Sequence, residues 1–272
     1  MKVILNVDAI SAPLTGIGTY TLQLARGLRE RGEIEELRLF SAYRWVADSH
    51  QALQVNRKIA TLRRFAPFKR AALEAYTGLR AALFRHGAAG LRDHLLHSPN
   101  FVLMPFDGPT VATVHDISYL RYPQYHPAER VRFLERHLPP TLARADALIV
   151  DSAAVYDELV TVLGVEESRL HVVPLGVDAH FHPRSAESLA PVLAKFGLTP
   201  QRYLLAVATQ EPRKNLERLM QAYAGLPATL RVRMPLAVAG ARGWLDAPLR
   251  RSFESLEAAG EVRRLGYLDD ET

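Results

Sequence analysis

Arg213, Lys214 and Asn215 follow the turn-forming run Thr209-Gln210-Glu211-Pro212, which itself follows the apolar stretch Leu204 to Ala208. The order reads as a buried strand, a short turn and the start of a helix carrying Leu216 and Leu219. A helix start has unpaired backbone N–H groups and a partial positive charge, and cations beside it make a site for phosphate or diphosphate. The same residues read equally well as a helix cap with two solvated cations. Near the N-terminus, Lys2 to Val7, a loop from Asp8 to Thr15 and Gly16-Ile17-Gly18 ahead of a helix over 19–31 repeat the arrangement, with glycines in place of cations. Glycines let a backbone approach a ligand closely, yet a G-x-G is as readily a structural turn. The absence of a third glycine argues against a nicotinamide dinucleotide site.

The β-branched run Thr110 to Val114 delivers His115 and Asp116 at its C-terminal end, the edge at which open parallel sheets bind ligands. A histidine beside an aspartate is a charge-stabilised donor to a substrate hydroxyl, or a loop histidine with a capping neighbour. Asp151-Ser152 after the strand Ala147 to Val150 caps a helix over 153–163. His126 and His137 read as surface or packing residues. The pairs His94/His97 and His180/His182 lack a third ligand and are set aside as metal sites.

The elements that must position these groups suit a chain of 272 residues, 48% of them hydrophobic, which is long enough for one large or two smaller domains. With no cysteine, disulfides, thiolate metal sites and thiol nucleophiles are excluded, and a reducing compartment, by default the cytoplasm, is the easier fit. Asn6 and Asp8 interrupt any signal peptide, and no apolar run approaches the roughly 18 residues of a membrane span. The net charge of +5 favours anionic partners. Between Arg57 and Arg92, nine basic residues (Arg57, Lys58, Arg63, Arg64, Lys69, Arg70, Arg80, Arg85, Arg92) face one acidic one, Glu74, with apolar residues interleaved and a break at Pro67. That segment reads either as a helix pair with solvated cations or as a surface for an anionic membrane. Nucleic acid would satisfy the same charge, but no binding motif accompanies it.

Leu37 to Tyr43, Leu95 to Pro99, Leu170 to Pro174, Leu236 to Ala239 and Val262 to Gly266 complete the predicted strands. Pro174, Gly176, Pro183 and Pro191 bracket a stretch of little periodicity, so residues 176–198 read as a hinge between a domain over 1–175 and another over 199–272.

The run EPRKN with its following L-x-x-L resembles the donor-phosphate segment of retaining glycosyltransferase family 4, particularly its mannosyltransferase-like members. HSPN at 97–100, VHDISYLRYPQYH at 114–126, LGVD at 175–178 and GYLDD at 266–270 resemble further segments in the family's order. The resemblance implies an α/β GT-B fold, with two Rossmann-like domains facing a cleft. It implies transfer of a hexose, with mannose from GDP-mannose favoured over other nucleotide sugars, to a growing glycan or lipid-linked acceptor with retention of configuration. It implies no metal and no cofactor. It assigns His115, with Asp116, to the donor sugar. Gly16, Ile17, Gly18, Ser152, Thr209, Arg213, Lys214, Gly240, Tyr267 and Leu268 are assigned to donor binding, with Gly240 where a nucleotide could press on the backbone.

Two departures stand out. Lys214 matches the family's lysine, but Ala208 and Thr209 occupy positions where many relatives carry arginine, so Arg213 would have to share the diphosphate charge. No acidic E-x7-E pair follows Tyr267, and three strands are visible in the second domain where about five or six are expected, which points to an incomplete second domain. The expectation is therefore a transferase. The alternative is a truncated, non-catalytic binding domain of the same ancestry. A cytoplasmic location, peripheral at the inner membrane face through 57–92, completes it.

Overall fold

The computed structural model describes residues 1–65, 69–241, 243 and 247–268, with side chains left undescribed at 58–74, 247 and 248. Pro67, Phe68, Asp269 and Asp270, and the side chains of Lys58, Arg63, Arg64, Lys69 and Arg70, lie outside the described residues. The chain divides into two compact units, Met1–Gly176 and Val177–Thr272.

In unit 1 the elements run β1 (Lys2–Asn6), α1 (Gly16–Glu30), β2 (Glu36–Ser41), β3 (Arg44–Val46), α2 (Ser49–Phe65), α3 (Lys69–Gly87), β4 (Leu95–Ser98) and β5 (Thr110–Val114). They continue with α4 (Ser118–Arg121), α5 (Ala128–Arg144), β6 (Ala147–Val150), α6 (Ala153–Leu163) and β7 (Leu170–Val172). The seven strands form one sheet in the order β3-β2-β1-β4-β5-β6-β7. All pair in parallel except β3, which returns antiparallel along β2. That hairpin is not visible in the predicted strand 37–43, because Ala42 adopts a left-handed turn with φ 58° that its sequence does not advertise. Helices cover both faces, so Val3, Ile4 and Leu5 of β1 are all apolar and buried, and their side chains alternate between cores. Ile4 and Phe40 join one cluster with Leu96, Val114 and Val150. Leu5 and Leu39 join the other with Val7, Ala25 and Ala52.

The strand order reverses between β1 and β4, the topological switch at which open α/β sheets take ligands. Residues just past the C-terminal ends of β1, β4, β5 and β6 therefore share one edge.

Unit 2 holds α7 (Ala186–Lys195), β8 (Leu204–Val207), α8 (Leu216–Ala224), α9 (Ala228–Arg233), β9 (Leu236–Ala239), α10 (Ala247–Ala258) and β10 (Val262–Gly266). Helix α7 lies inside the stretch read as an irregular hinge. Ser185 caps it by accepting from Ser188 N, and Pro191 is accommodated within it. The three strands are parallel in the order β10-β9-β8. Leu216, Met220 and Tyr223 project from one face of α8 onto Val238, Leu249 and Phe253. β8 is an edge strand whose Leu205 and Val207 are 55% and 75% exposed.

Candidate active site

His115 and Asp151 are the first residues beyond β5 and β6. Because Val114 pairs with Val150, the two lie side by side. His115 Nδ1 meets Asp151 Oδ2 at 2.7 Å, and Nε2 meets the Pro99 carbonyl at 2.9 Å. Both partners are acceptors, so a doubly protonated ring satisfies both contacts and a neutral ring satisfies one. The ring is packed edge-on by Tyr20, at 5.0 Å between centroids, and by Phe101, at 6.0 Å. Among the described residues, Asp151 Oδ1 and Ser98 Oγ on the same edge are buried without a hydrogen-bond partner.

Asp116, expected beside His115 in the site, instead organises the turn into α4: its Oδ1 accepts from Ser118 N and Oγ at 2.9 and 2.7 Å. The capping reading describes this geometry, and the carboxylate facing His115 is Asp151. Its signal was present in the sequence as the residue following ALIV, but only the register of β5 against β6 brings it to the histidine.

Beneath the edge, His97 Nε2 meets Thr113 Oγ1 at 2.9 Å, and Tyr20 Oη meets the same hydroxyl at 3.2 Å. Burial pushes the His97 ring down to about 4, aided by the nearby His115 charge. Burial likewise raises the Tyr20 phenol above its ordinary value. His94 sits between Asp93 and Glu36, at 2.9 and 3.2 Å, near the opposite end of the strands. Among the described residues no group of three His, Asp or Glu side chains could hold a metal ion.

The glycines of the first predicted loop lie in the first turn of α1. Thr15 is the N-cap, and its Oγ1 accepts from Gly18 N at 3.3 Å, so the helix begins three residues earlier than expected. Gly18 has a packing reason for lacking a side chain: a Cβ would stand 2.8 Å from the Ala9 carbonyl. Gly16 has open space at that position. With Gly18 N–H capped, the Gly16 and Ile17 N–H groups remain at the helix start. Ser152 caps α6, accepting from Val155 N at 3.4 Å.

In unit 2 the EPRKN run forms a 3-10 turn over Pro212–Lys214. Asn215 is left-handed at φ 54°, and α8 starts only at Leu216. Arg213 donates Nε and Nη2 to Glu211 Oε1 at 3.0 and 2.7 Å, so its charge is opposed locally by a nearly buried carboxylate. Lys214 is exposed and makes no ion pair among the described residues. Thr209, half-buried, accepts through its carbonyl from Glu211 N at 2.8 Å. Gly240 has φ 141°, and a Cβ there would fall 2.0 Å from the Ala208 carbonyl. The backbone that presses on it is therefore β8's own continuation. Tyr267 is exposed and Leu268 half-buried after the bulge that ends β10 at Gly266.

The basic segment divides. Arg80 turns inward to Asp8 as an ion pair, Phe84 is fully buried, and Arg92 stays at the surface, 3.2 Å from Asp107.

Two α/β units of mostly parallel strands and covering helices make up the GT-B fold, which the chain shares with solved glycosyltransferases. The chain belongs to glycosyltransferase family 4: the pattern of Glycosyltransferase Family 4 matches residues 14–181. It is 36% identical to the O-antigen chain mannosyltransferase B of Escherichia coli across 100% of this chain and 72% of the relative. It is 31% identical to the serotype-specific mannosyltransferase WbdA of Escherichia coli over 53% of this chain and 18% of that protein. Among solved structures, WaaG, a glycosyltransferase involved in lipopolysaccharide biosynthesis, superposes with a TM-score of 0.68 at 17% identity, over 100% of this chain and 71% of WaaG. HepE of Anabaena, solved with UDP-glucose, gives 0.65 at 16% identity over 99% of this chain and 70% of HepE. At these identities the two structures speak for the fold.

Proposed function

We propose that this glycosyltransferase moves a hexose, mannose from GDP-mannose, to a growing glycan or lipid-linked acceptor with retention of configuration and without a metal ion. The observation that carries the reading is the 36% identity to an O-antigen chain mannosyltransferase along the whole chain.

Breaking the glycosidic bond to a diphosphate leaves negative charge on the departing oxygen, and fixed cations and N–H groups lower that barrier without reorganising. Lys214 is the cation for this task, since Arg213 is already opposed by Glu211. Within unit 1, the Gly16 and Ile17 N–H groups at the start of α1 suit an anionic oxygen. The sugar becomes oxocarbenium-like as the bond lengthens. His115, backed by Asp151, orients it through a hydroxyl that takes the place of the Pro99 carbonyl at Nε2. In this reading the acceptor attacks from the face the diphosphate leaves, which preserves configuration.

We place the protein in the cytoplasm at the inner membrane face. Exposed Leu79 and Leu83, one turn apart on α3, supply apolar contact beside Arg85. No helix among the described residues is long and apolar enough to cross a membrane.

The test is incubation with GDP-mannose and a short α-mannoside, with the product followed by proton NMR. A new α-anomeric signal in the presence of EDTA supports the proposal. A β signal overturns retention. Nucleotide-sugar binding without product favours the non-catalytic alternative.

A further inference from the structure

Two hydrogen bonds hold His115, one at Nδ1 to Asp151 at 2.7 Å and one at Nε2 to the Pro99 carbonyl at 2.9 Å. Contacts at two atoms of a flat ring fix a line through it and leave the tilt about that line to whatever packs on the ring. Tyr20 and Phe101 supply that packing, both steeply inclined to the imidazole, at 88° and 77°. Tyr20 is itself anchored. Its Oη meets Thr113 Oγ1 at 3.2 Å, and the same hydroxyl meets His97 Nε2 at 2.9 Å.

We propose that Tyr20, held by Thr113 and His97, is a positioning residue for the transfer reaction, keeping His115 at the tilt that presents Nε2 after a substrate hydroxyl displaces the Pro99 carbonyl. The inference rests on the glycosyl-transfer reading and deepens it. With the carbonyl displaced, His115 keeps its hydrogen bond to Asp151, and its tilt then depends on the perpendicular ring beside it. A brace that matters most in the complex acts on turnover and leaves donor affinity alone.

Ordinary packing does not account for the hydroxyl chain. Phenylalanine would give the same ring surface at position 20. Thr113 is fully buried and His97 is 7% exposed, and buried polar groups carry a desolvation cost that apolar residues would avoid. Partnered as they are, these groups fix one arrangement, because the Thr113 hydroxyl can donate to one neighbour while accepting from the other. Burial pushes the His97 ring down to about 4, so at neutral pH the strut adds no charge beneath the His115–Asp151 pair. Tyr20 also stands one turn beyond Gly16 on α1, so the Gly16 and Ile17 N–H groups and the His115 ring are tied to the same stretch of helix.

Tyr20→Phe keeps the ring and removes the hydroxyl, Thr113→Val keeps the shape and removes the link, and Thr113→Ser retains the link. Steady-state transfer from GDP-mannose to a short α-mannoside is measured together with the proton and nitrogen NMR signals of the His115 ring. Tyr20→Phe and Thr113→Val should each lower kcat about 10-fold with the donor KM within about 2-fold of wild type, and the double variant should lose no more than either. Their His115 Nδ1–H signal should shift or broaden, while Thr113→Ser recovers the wild-type signal and most of kcat. Tyr20→Phe barely alters side-chain volume and keeps the test valid if Thr113→Val fails to fold. Wild-type kcat in Tyr20→Phe, an unmoved His115 signal in that variant, or multiplied losses in the double variant would each overturn the proposal. If the wild type transfers no sugar, the His115 signal decides the brace by itself, and the transferase reading alone is lost.

Discussion

At the scale of single residues, His115 depends on Asp151 for its orientation, since the 2.7 Å contact at Nδ1 fixes the ring that presents Nε2. Asp151→Asn keeps the shape and removes the charge. We expect kcat for hexose transfer to fall about 10²-fold, as misplacement of a substrate-positioning group does, with the donor KM little changed. Steady-state kinetics checks this, and an unaltered kcat would mean that the pair is structural. His97 carries a pH signature of stability. Its folded pKa of about 4 lies below the ordinary 6.5, so between these values the unfolded chain binds the proton and the native one does not. Stability therefore rises with pH across that window and is lost as pH falls from 6.5 towards 4. The full span corresponds to roughly 3 kcal/mol. Urea unfolding of His97→Gln at a series of pH values should show a flatter profile over that window than the wild type. His115 was legible from its place after a β-branched strand, and Lys214 from its turn. Asp151 and Asp8 were not, because each is a loop carboxylate in sequence and acquires its partner, His115 or Arg80, only through packing of remote elements.

Among elements, α1 contains its own control. Gly18→Ala would push a Cβ to 2.8 Å from the Ala9 carbonyl, whereas Gly27→Ala in the same helix meets nothing within 4 Å. The first is expected to destabilise by about 1–3 kcal/mol through overpacking against backbone. The second should stabilise by about 0.5–1 kcal/mol through the lower helix propensity of glycine. Denaturant midpoints check both, and equal effects of the two would contradict the packing assignment. Strands were the most readable elements: ALIV at β6, TVATV at β5 and LAVA at β9 are continuous apolar or β-branched runs, as strands buried on both faces must be. Helix starts depended on caps. Ser152 gave α6 its correct first residue, while Thr15 was passed over in favour of the glycines and the start of α1 was misplaced. Helix α7 is hidden in the sequence because Pro191 interrupts its pattern, and only the structure shows Ser185 as its cap.

For the molecule as a whole, the two-unit α/β architecture followed from strands alternating with helical stretches and from the proline-bracketed change of pattern near Gly176. The sheet order did not, since nothing local tells β4 to join β1 on the side away from β2. That placement creates the switch point and so the edge where His115, Asp151 and the Asp8–Arg80 pair gather. The central claim, that the chain handles a nucleotide sugar with Lys214 on the diphosphate, is tested most directly by calorimetric titration of GDP-mannose into the wild type and Lys214→Ala. The account predicts saturable binding by the wild type, stronger than that of UDP-glucose and weakened about 10-fold or more by the substitution. Equal binding by both proteins, or a preference for UDP-glucose, would contradict it.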